Sequence, residues 1–250
     1  MTGPYRWDLL VGGVPARSPT HGSLGWSSVG LLRGAGEVIL LDTGGQQYRD
    51  LLLRRLAGLG LAPGDVTTVA ITHCHWDHMS NYLMFPDARV VVPAADLRWA
   101  ASLPPGHPYV PELHVQALLR HPRLDPVEGG QQVADGLWVV ASPGHTPGHV
   151  SYLAETREGR LVFTGDALKD ERELVTRTAD MTVDARASQR SIALLAGLSA
   201  TDDATLVCGH DRLLAVVGGK IEYRSALTPE LAILDLADPT TYRAFRLPFA

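Results

Sequence analysis

Imidazole and carboxylate side chains follow the ends of four apolar runs in this chain, and that placement restricts its fold more than any other feature. Asp65 to Thr72, with Val66, Val69 and Ile71 as its apolar members, reads as a strand that delivers Thr72-His-Cys-His-Trp-Asp-His78. Leu137–Ala141 leads into Pro143-Gly-His-Thr-Pro-Gly-His149, Leu161–Thr164 into Gly165-Asp166, and Ala204–Cys208 into Gly209-His210. Loops beyond strand ends converge while the sheet behind them stays rigid, and α/β folds build their sites there. The remaining signals fit that class. Residues 27–33 and 37–42 read as a hairpin joined by Gly34-Ala-Gly36, and residues 46–59 carry Leu51, Leu52, Leu56 and Leu59 at helical spacing. Arg89–Val92 reads as a buried strand and Ala94–Ser102 as a helix. Asp184–Leu198 is expected to be a helix capped by Asp184, with Ile192, Leu194, Leu195 and Leu198 facing inward. Thr228-Pro-Glu230 predicts the start of a last helix.

The residues after the strands are metal-ligand types. His73, His75, Asp77, His78, His145, Asp166 and His210 use five of the ten histidines. Neutral imidazoles and carboxylates are the usual N and O donors for zinc, and manganese or iron also accept them. Seven donors exceed what one tetrahedral ion uses, so two neighbouring divalent ions are expected as cofactors, zinc first among them. In an extended segment alternate residues face the same way, so His73 and His75 can reach one ion while Cys74 points away. Asp77 and His78 follow at the turn and serve a second ion; His145 completes the first site and His210 the second. Asp166 has two carboxylate oxygens and can bridge. Water too weakly acidic to attack an ester at neutral pH becomes a nucleophile between two such ions. The expected chemistry is therefore hydrolysis by a bridging hydroxide, with Asp77 also a candidate catalytic group that accepts a proton from the attacking water. His149 is expected to support the site rather than ligate.

Asp42-Thr-Gly44, Thr72-His-Cys-His-Trp-Asp-His78, Pro143-Gly-His-Thr-Pro-Gly-His149, Thr164-Gly-Asp166 and Gly209-His210 together resemble the metallo-β-lactamase fold superfamily of metal-dependent hydrolases, over roughly residues 25–215. The resemblance implies an α/β fold, an αβ/βα four-layer sandwich of two mixed β-sheets flanked by helices, as a single domain over 1–250. It also implies that His73, His75 and His145 hold one ion, Asp77, His78 and His210 the other, and that Asp166 bridges. The complete set is similar to the glyoxalase II and acyl-homoserine-lactonase kind of site. Strict β-lactamases usually carry cysteine where Asp166 stands. Quorum-quenching lactonases place a tyrosine shortly after the bridging aspartate, where this chain has Leu168-Lys169. Cleavage of an ester, lactone or thioester is the expected activity. The alternatives are a phosphodiesterase or ribonuclease of the same fold, and an iron-dependent oxygenase.

Substrate recognition is expected from residues 103–126, which hold six prolines and three histidines and read as a Pro-rich lid inserted over the site. Trp26, Trp76, Trp99, Tyr109 and Lys169 are the candidate contacts, whereas His107, His114 and His121 are expected to hold loop structure. The net charge of −5 and the scattered arginines argue against a nucleic-acid partner, so a small-molecule substrate is expected. Two cysteines do not make a disulfide scaffold. With no signal-like N-terminus and no apolar run of membrane-spanning length, a cytoplasmic protein without a membrane partner is expected. A homodimer through the lid or the tail from Tyr242 to Phe249 is a further expectation.

Overall fold

Short runs of Val, Leu and Ile build two sheets whose central strands are buried on both faces. Val90, Val91 and Val92 illustrate the rule: Val90 and Val92 enter one apolar core and Val91 the opposite one. The structure, a computed structural model, describes residues 3–226, 228–235, 237–238 and 240–246. The first sheet has the order β1 (Arg6–Val11), β2 (Val29–Gly34), β3 (Glu37–Leu41), β4 (Thr68–Ala70), β5 (Arg89–Pro93), β6 (Leu124–Val127). Its first three strands run antiparallel and β3 to β6 run parallel. The second sheet holds β7 (Gln132–Ala134), β8 (Leu137–Ala141), β9 (Val150–Thr156), β10 (Gly159–Gly165), β11 (Thr205–Cys208), β12 (Leu213–Val217) and β13 (Lys220–Tyr223). They lie in the reverse of chain order, antiparallel except for the parallel pair β10–β11.

Three apolar interfaces hold four layers together. Leu52 and Leu56 of α1 (Arg49–Gly58) pack on the outer face of the first sheet. The short α2 (Trp76–Met79) carries part of the metal motif, and α3 (Ala94–Ser102) and α4 (Glu112–Leu118) add Leu97, Ala100, Val115 and Leu118 to that face. Between the sheets, Leu32, Ile39, Leu41 and Val91 meet Val139, Tyr152, Leu161, Phe163 and Val207. On the far side, Leu174 of α5 (Glu171–Thr176) and Ile192, Leu195 and Ala196 of α6 (Ala185–Asp202) cover Val162, Leu206 and Leu214. This is the four-layer sandwich expected from the sequence. Asp184 caps α6 by accepting from the Ala187 N–H at 3.0 Å. Asp184→Ala is expected to cost about 1 kcal/mol, seen as a lower urea midpoint at unchanged slope. An unmoved midpoint would show that packing alone sets the stability of α6.

Some expectations are corrected. Leu194 is 46% exposed, so the inward stripe of α6 is narrower than the apolar spacing suggested. Thr228-Pro-Glu230 does not open a helix. Glu230–Leu234 is strand β14, which pairs with β15 (Tyr242–Arg246) in a separate two-stranded sheet. The local cap signal loses to cross-strand pairs: Leu231 opposite Phe245, and Arg246 to Glu230 at 3.4 Å. Of the tail expected to dimerise, residues 247–249 lie outside the described residues. The segment 103–126 does not stand wholly apart from the fold, since α4 packs into the core and residues from Leu124 onward pair with β5. Pro126 hid that strand; it lies on an edge strand, where a missing N–H is tolerated. Among the described residues, no helix is long and apolar enough to cross a membrane.

Candidate metal centre

All seven candidate ligands meet at one edge of the sandwich. The turn after β4 supplies His73 and His75, and α2 supplies Asp77 and His78. His145 lies between β8 and β9, Asp166 directly after β10 and His210 two residues after β11. Donor atoms fall into three groups, each within 4.8 Å: His73, His75 and His145; Asp77, His78 and His210; and His73, His78 and Asp166 linking the two. Asp166 is the hub. Its Oδ1 is 3.1 Å from His78 Nε2 and 3.2 Å from His210 Nε2, and its Oδ2 is 3.3 Å from His145 Nε2. Asp77 Oδ2 lies 3.5 Å from His210 Nε2. Cys74 points away into the first core, as the alternation of an extended segment requires.

Electrostatics divide the cluster into unlike halves. Burial pushes the His73 and His145 imidazoles well below the ordinary histidine range and His75 down to about 3, so these three stay neutral. Burial also pulls His78 and His210 down, but Asp166 and Asp77 outweigh it and raise both. For Asp166, burial favours the protonated form, yet His210, His78 and His145 hold the carboxyl well below its usual range. His73 Nε2, His78 Nε2, His145 Nδ1 and Asp166 Oδ1 are buried and make no aligned hydrogen bond within the protein. Buried polar atoms are normally paired, and donor atoms of His73, His78 and Asp166 lie within 4.8 Å of one another, a set suited to a bound cation.

The surrounding residues fix where these donors point. Buried Asp42, just past β3, accepts from His78 Nδ1 at 2.7 Å, the Thr72 N–H at 2.7 Å and Thr72 Oγ1 at 2.8 Å. A carboxylate behind a ligating histidine fixes its tautomer and raises its basicity. Asp96 of α3 accepts from the Cys74 N–H at 2.6 Å and so ties the His-rich turn to a helix. His149 Nε2 accepts from the Asp166 N–H at 3.0 Å while Nδ1 meets Ser142 Oγ at 3.0 Å, which leaves neither nitrogen for an ion. A Cβ on Gly209 would sit 2.3 Å from Asp166 Oδ1, so only glycine fits beside that carboxylate. The sequence marked Asp42 as part of a motif without a role, and gave no signal for Asp96 beyond membership of a helix.

The cluster floors a cavity of about 670 Å³. Of the aromatic candidates, Trp76 and Tyr109 line it, whereas Trp26 and Trp99 pack against the first core. From the expected lid only Pro108 and Tyr109 reach the cavity; His107 and His121 instead accept backbone N–H groups at 3.3 Å. The opposite wall comes from residues between Val14 and Gly25, a segment with no regular signal and therefore overlooked in the sequence. Lys169 lines the cavity, but its ammonium is paired with buried Glu173 at 2.7 Å.

Residues 6–210 match the family model of the metallo-beta-lactamase superfamily. The chain belongs to that superfamily. It is 37% identical over 151 residues to the metallo-beta-lactamase domain-containing protein 1 of Xenopus laevis, covering 58% of this chain and 55% of that relative. An N-acyl homoserine lactonase of a Bacillus species is 25% identical over 163 residues, 65% of this chain and 62% of the lactonase. The chain thus spans roughly half to two thirds of the curated relatives it matches. Among solved structures, a variant of the lactonase AiiA from Bacillus thuringiensis with N-decanoyl-L-homoserine bound superposes with a TM-score of 0.69 at 22% identity, over 84% of this chain and 94% of that one. That likeness shows the shared fold. With it, the two sheets and their flanking helices are those of a metallo-β-lactamase-fold protein.

Proposed function

We propose that this metallo-β-lactamase-fold chain is a hydrolase that cleaves a carboxylic ester, lactone or thioester of a small molecule with the aid of two divalent ions, zinc first among them. The convergence of buried donors from His73, His78 and Asp166, unpaired within the protein, beneath a substrate-sized cavity carries the reading. The similarity to lactonases in sequence supports the choice of bond. His73, His75 and His145 would hold one ion, Asp77, His78 and His210 the other, with Asp166 shared. Bound there, such ions supply Lewis-acid polarisation and lower the pKa of water to about 7. The chain's own residues do the rest. Asp77 lines the cavity, where its free carboxylate edge can take a proton from the attacking water. Asp42 keeps the His78 ring in one orientation. Trp76 and Tyr109 add apolar surface to the cavity lining.

A panel of an aryl ester, a lactone, a thioester and a bis-aryl phosphodiester, run with metal-loaded protein, tests the reading. Turnover of one or more of the first three is expected. Turnover of the phosphodiester alone would overturn it in favour of a phosphodiesterase or ribonuclease.

Proton competition is expected to separate the two ions. His73, His75 and His145 are held neutral and present lone pairs at neutral pH. His78 and His210 are raised, so each must first lose a proton, and affinity in their half falls as pH drops through those raised values. The penalty approaches about tenfold per proton per pH unit. Dialysis across a pH series from about 8 to about 5, followed by metal analysis, should show one ion per chain leaving before the other. Loss of both in one step would contradict the assignment.

A further inference from the structure

The cavity in front of the metal cluster is more particular than a generic hydrolase cleft. Its two basic side chains, Arg17 and Lys169, are both already engaged. The Lys169 ammonium faces Glu173 Oε1 at 2.7 Å and donates to the Asp180 carbonyl at 3.0 Å. The Arg17 guanidinium lies 3.8 Å from the Asp180 carboxylate, which also binds Arg172 at 2.8 Å. Lys169 is thus neutralised in place, whereas Arg17 shares its one carboxylate with Arg172. Away from the cluster, apolar Val14, Pro15, Ala16, Pro19, Trp76 and Tyr109 line the cavity, interrupted by Ser18, Ser23 and Asp170.

Tyr109 is held in place from three directions. Its carbonyl accepts from the Trp76 N–H at 2.9 Å, which stitches it to the metal motif. Its own N–H and that of Val110 donate to His107 Nδ1 at 3.3 Å, and Val110 is buried in the first core. The Tyr109 ring centre then stands 5.6 Å from that of His75. With its backbone held this firmly, Tyr109 remains 38% exposed and lines the cavity with its ring beside His75. The facing wall is equally fixed at its far end. Gly25 has φ +55°, a Cβ there would lie 2.0 Å from the Trp76 ring, and its carbonyl accepts from Gln47 Nε2 at 2.9 Å.

We propose that Tyr109, together with the apolar residues between Val14 and Pro19 that line the same cavity, forms a subsite for an uncharged, apolar arm of the substrate, and that Tyr109 is its specificity-determining residue. The proposal rests on the hydrolytic reading only for which bond the arm is attached to. Away from the ions proposed for the floor, an anionic arm finds Lys169 already neutralised by Glu173, whereas an acyl or aryl arm removes apolar wall from water along its length.

The test uses the metal-loaded chain and nitrophenyl esters of acetate, butyrate, octanoate and the hemisuccinate. The expected result is kcat/KM rising from acetate to octanoate, with the hemisuccinate below butyrate. In Tyr109→Ala the octanoate-to-acetate ratio of kcat/KM should fall about tenfold, and in Tyr109→Phe it should stay within about twofold, because a ring contact and not the hydroxyl is at stake. Ala16→Asp, a loop change remote from the core, should lower the same ratio by placing a charge in the arm's path. Glu173→Gln should raise relative turnover of the hemisuccinate by freeing the Lys169 charge. Calorimetric titration with octanamide needs no turnover and should show about tenfold weaker binding to Tyr109→Ala than to the parent chain. A chain-length profile that is flat, a preference for the hemisuccinate, or equal octanamide affinity in parent and variants overturns the subsite. Octanamide bound as expected while no ester is cleaved overturns the hydrolytic reading and leaves the subsite standing.

Discussion

Asp166→Ala is expected to lower kcat/KM about a thousandfold on whichever ester, lactone or thioester turns over best, while the chain stays folded. The size follows from the several kcal/mol of charge stabilisation that bound ions supply, at about 1.4 kcal/mol per tenfold. The cause is local. Asp166 is the one carboxylate within 3.3 Å of imidazoles from both halves of the cluster: His145 on one side, His78 and His210 on the other. Without it, the positive charge of two ions faces only Asp77 and neutral rings, and retention of both ions should fail. Metal analysis alongside kinetics checks this, with bound metal expected to drop below two ions per chain. Full metal content and full turnover in Asp166→Ala would remove the shared-carboxylate assignment.

Asp42→Ala is expected to have the largest effect on stability, a loss of about 3–5 kcal/mol, the usual cost of breaking a buried charge pair from one side. The substitution strands three donors at once: the Thr72 N–H, the Thr72 hydroxyl and His78 Nδ1, all buried. It should also weaken metal binding about 10- to 100-fold, as loss of a carboxylate behind a ligating histidine does elsewhere. Asp42 has φ +55°, a conformation that alanine tolerates less well than aspartate or asparagine. Asp42→Asn therefore separates the two causes. It keeps the backbone conformation and one oxygen for the Thr72 N–H but sets an amide donor where Oδ2 accepted from His78 Nδ1, so any loss of metal affinity it shows comes from the missing charge and hydrogen bond behind His78. Urea unfolding and metal titration of both variants give the readout. Wild-type metal affinity in Asp42→Asn would mean that the His78 ring is oriented by packing alone.

The cluster of candidate ligands was legible in the sequence because its residue types are local signals and its positions follow strand ends. The spacing of His73, His75, Asp77 and His78 fits one turn followed by one short helix, and the structure gathers all seven candidates together. The two-sided burial of strands such as Arg89–Pro93 was legible as continuous apolar runs, and the Asp184 cap as a local signal. What sequence patterns missed depends on contacts between distant segments. Asp96 meets the Cys74 N–H only because α3 packs behind the His-rich turn. Val14 to Gly25 became a cavity wall through tertiary placement, with no periodicity to announce it. The edge strand Leu124–Val127 was masked by Pro126, and the hairpin of Glu230–Leu234 with Tyr242–Arg246 by a Thr-Pro pair that elsewhere starts helices.

Anomalous diffraction at the zinc edge, from crystals of the purified chain supplied with zinc, bears most directly on the proposed centre. Two peaks are expected per chain, one among His73, His75 and His145 and one among Asp77, His78 and His210, each within bonding distance of Asp166. A single peak, or none at this edge of the sandwich, would contradict it.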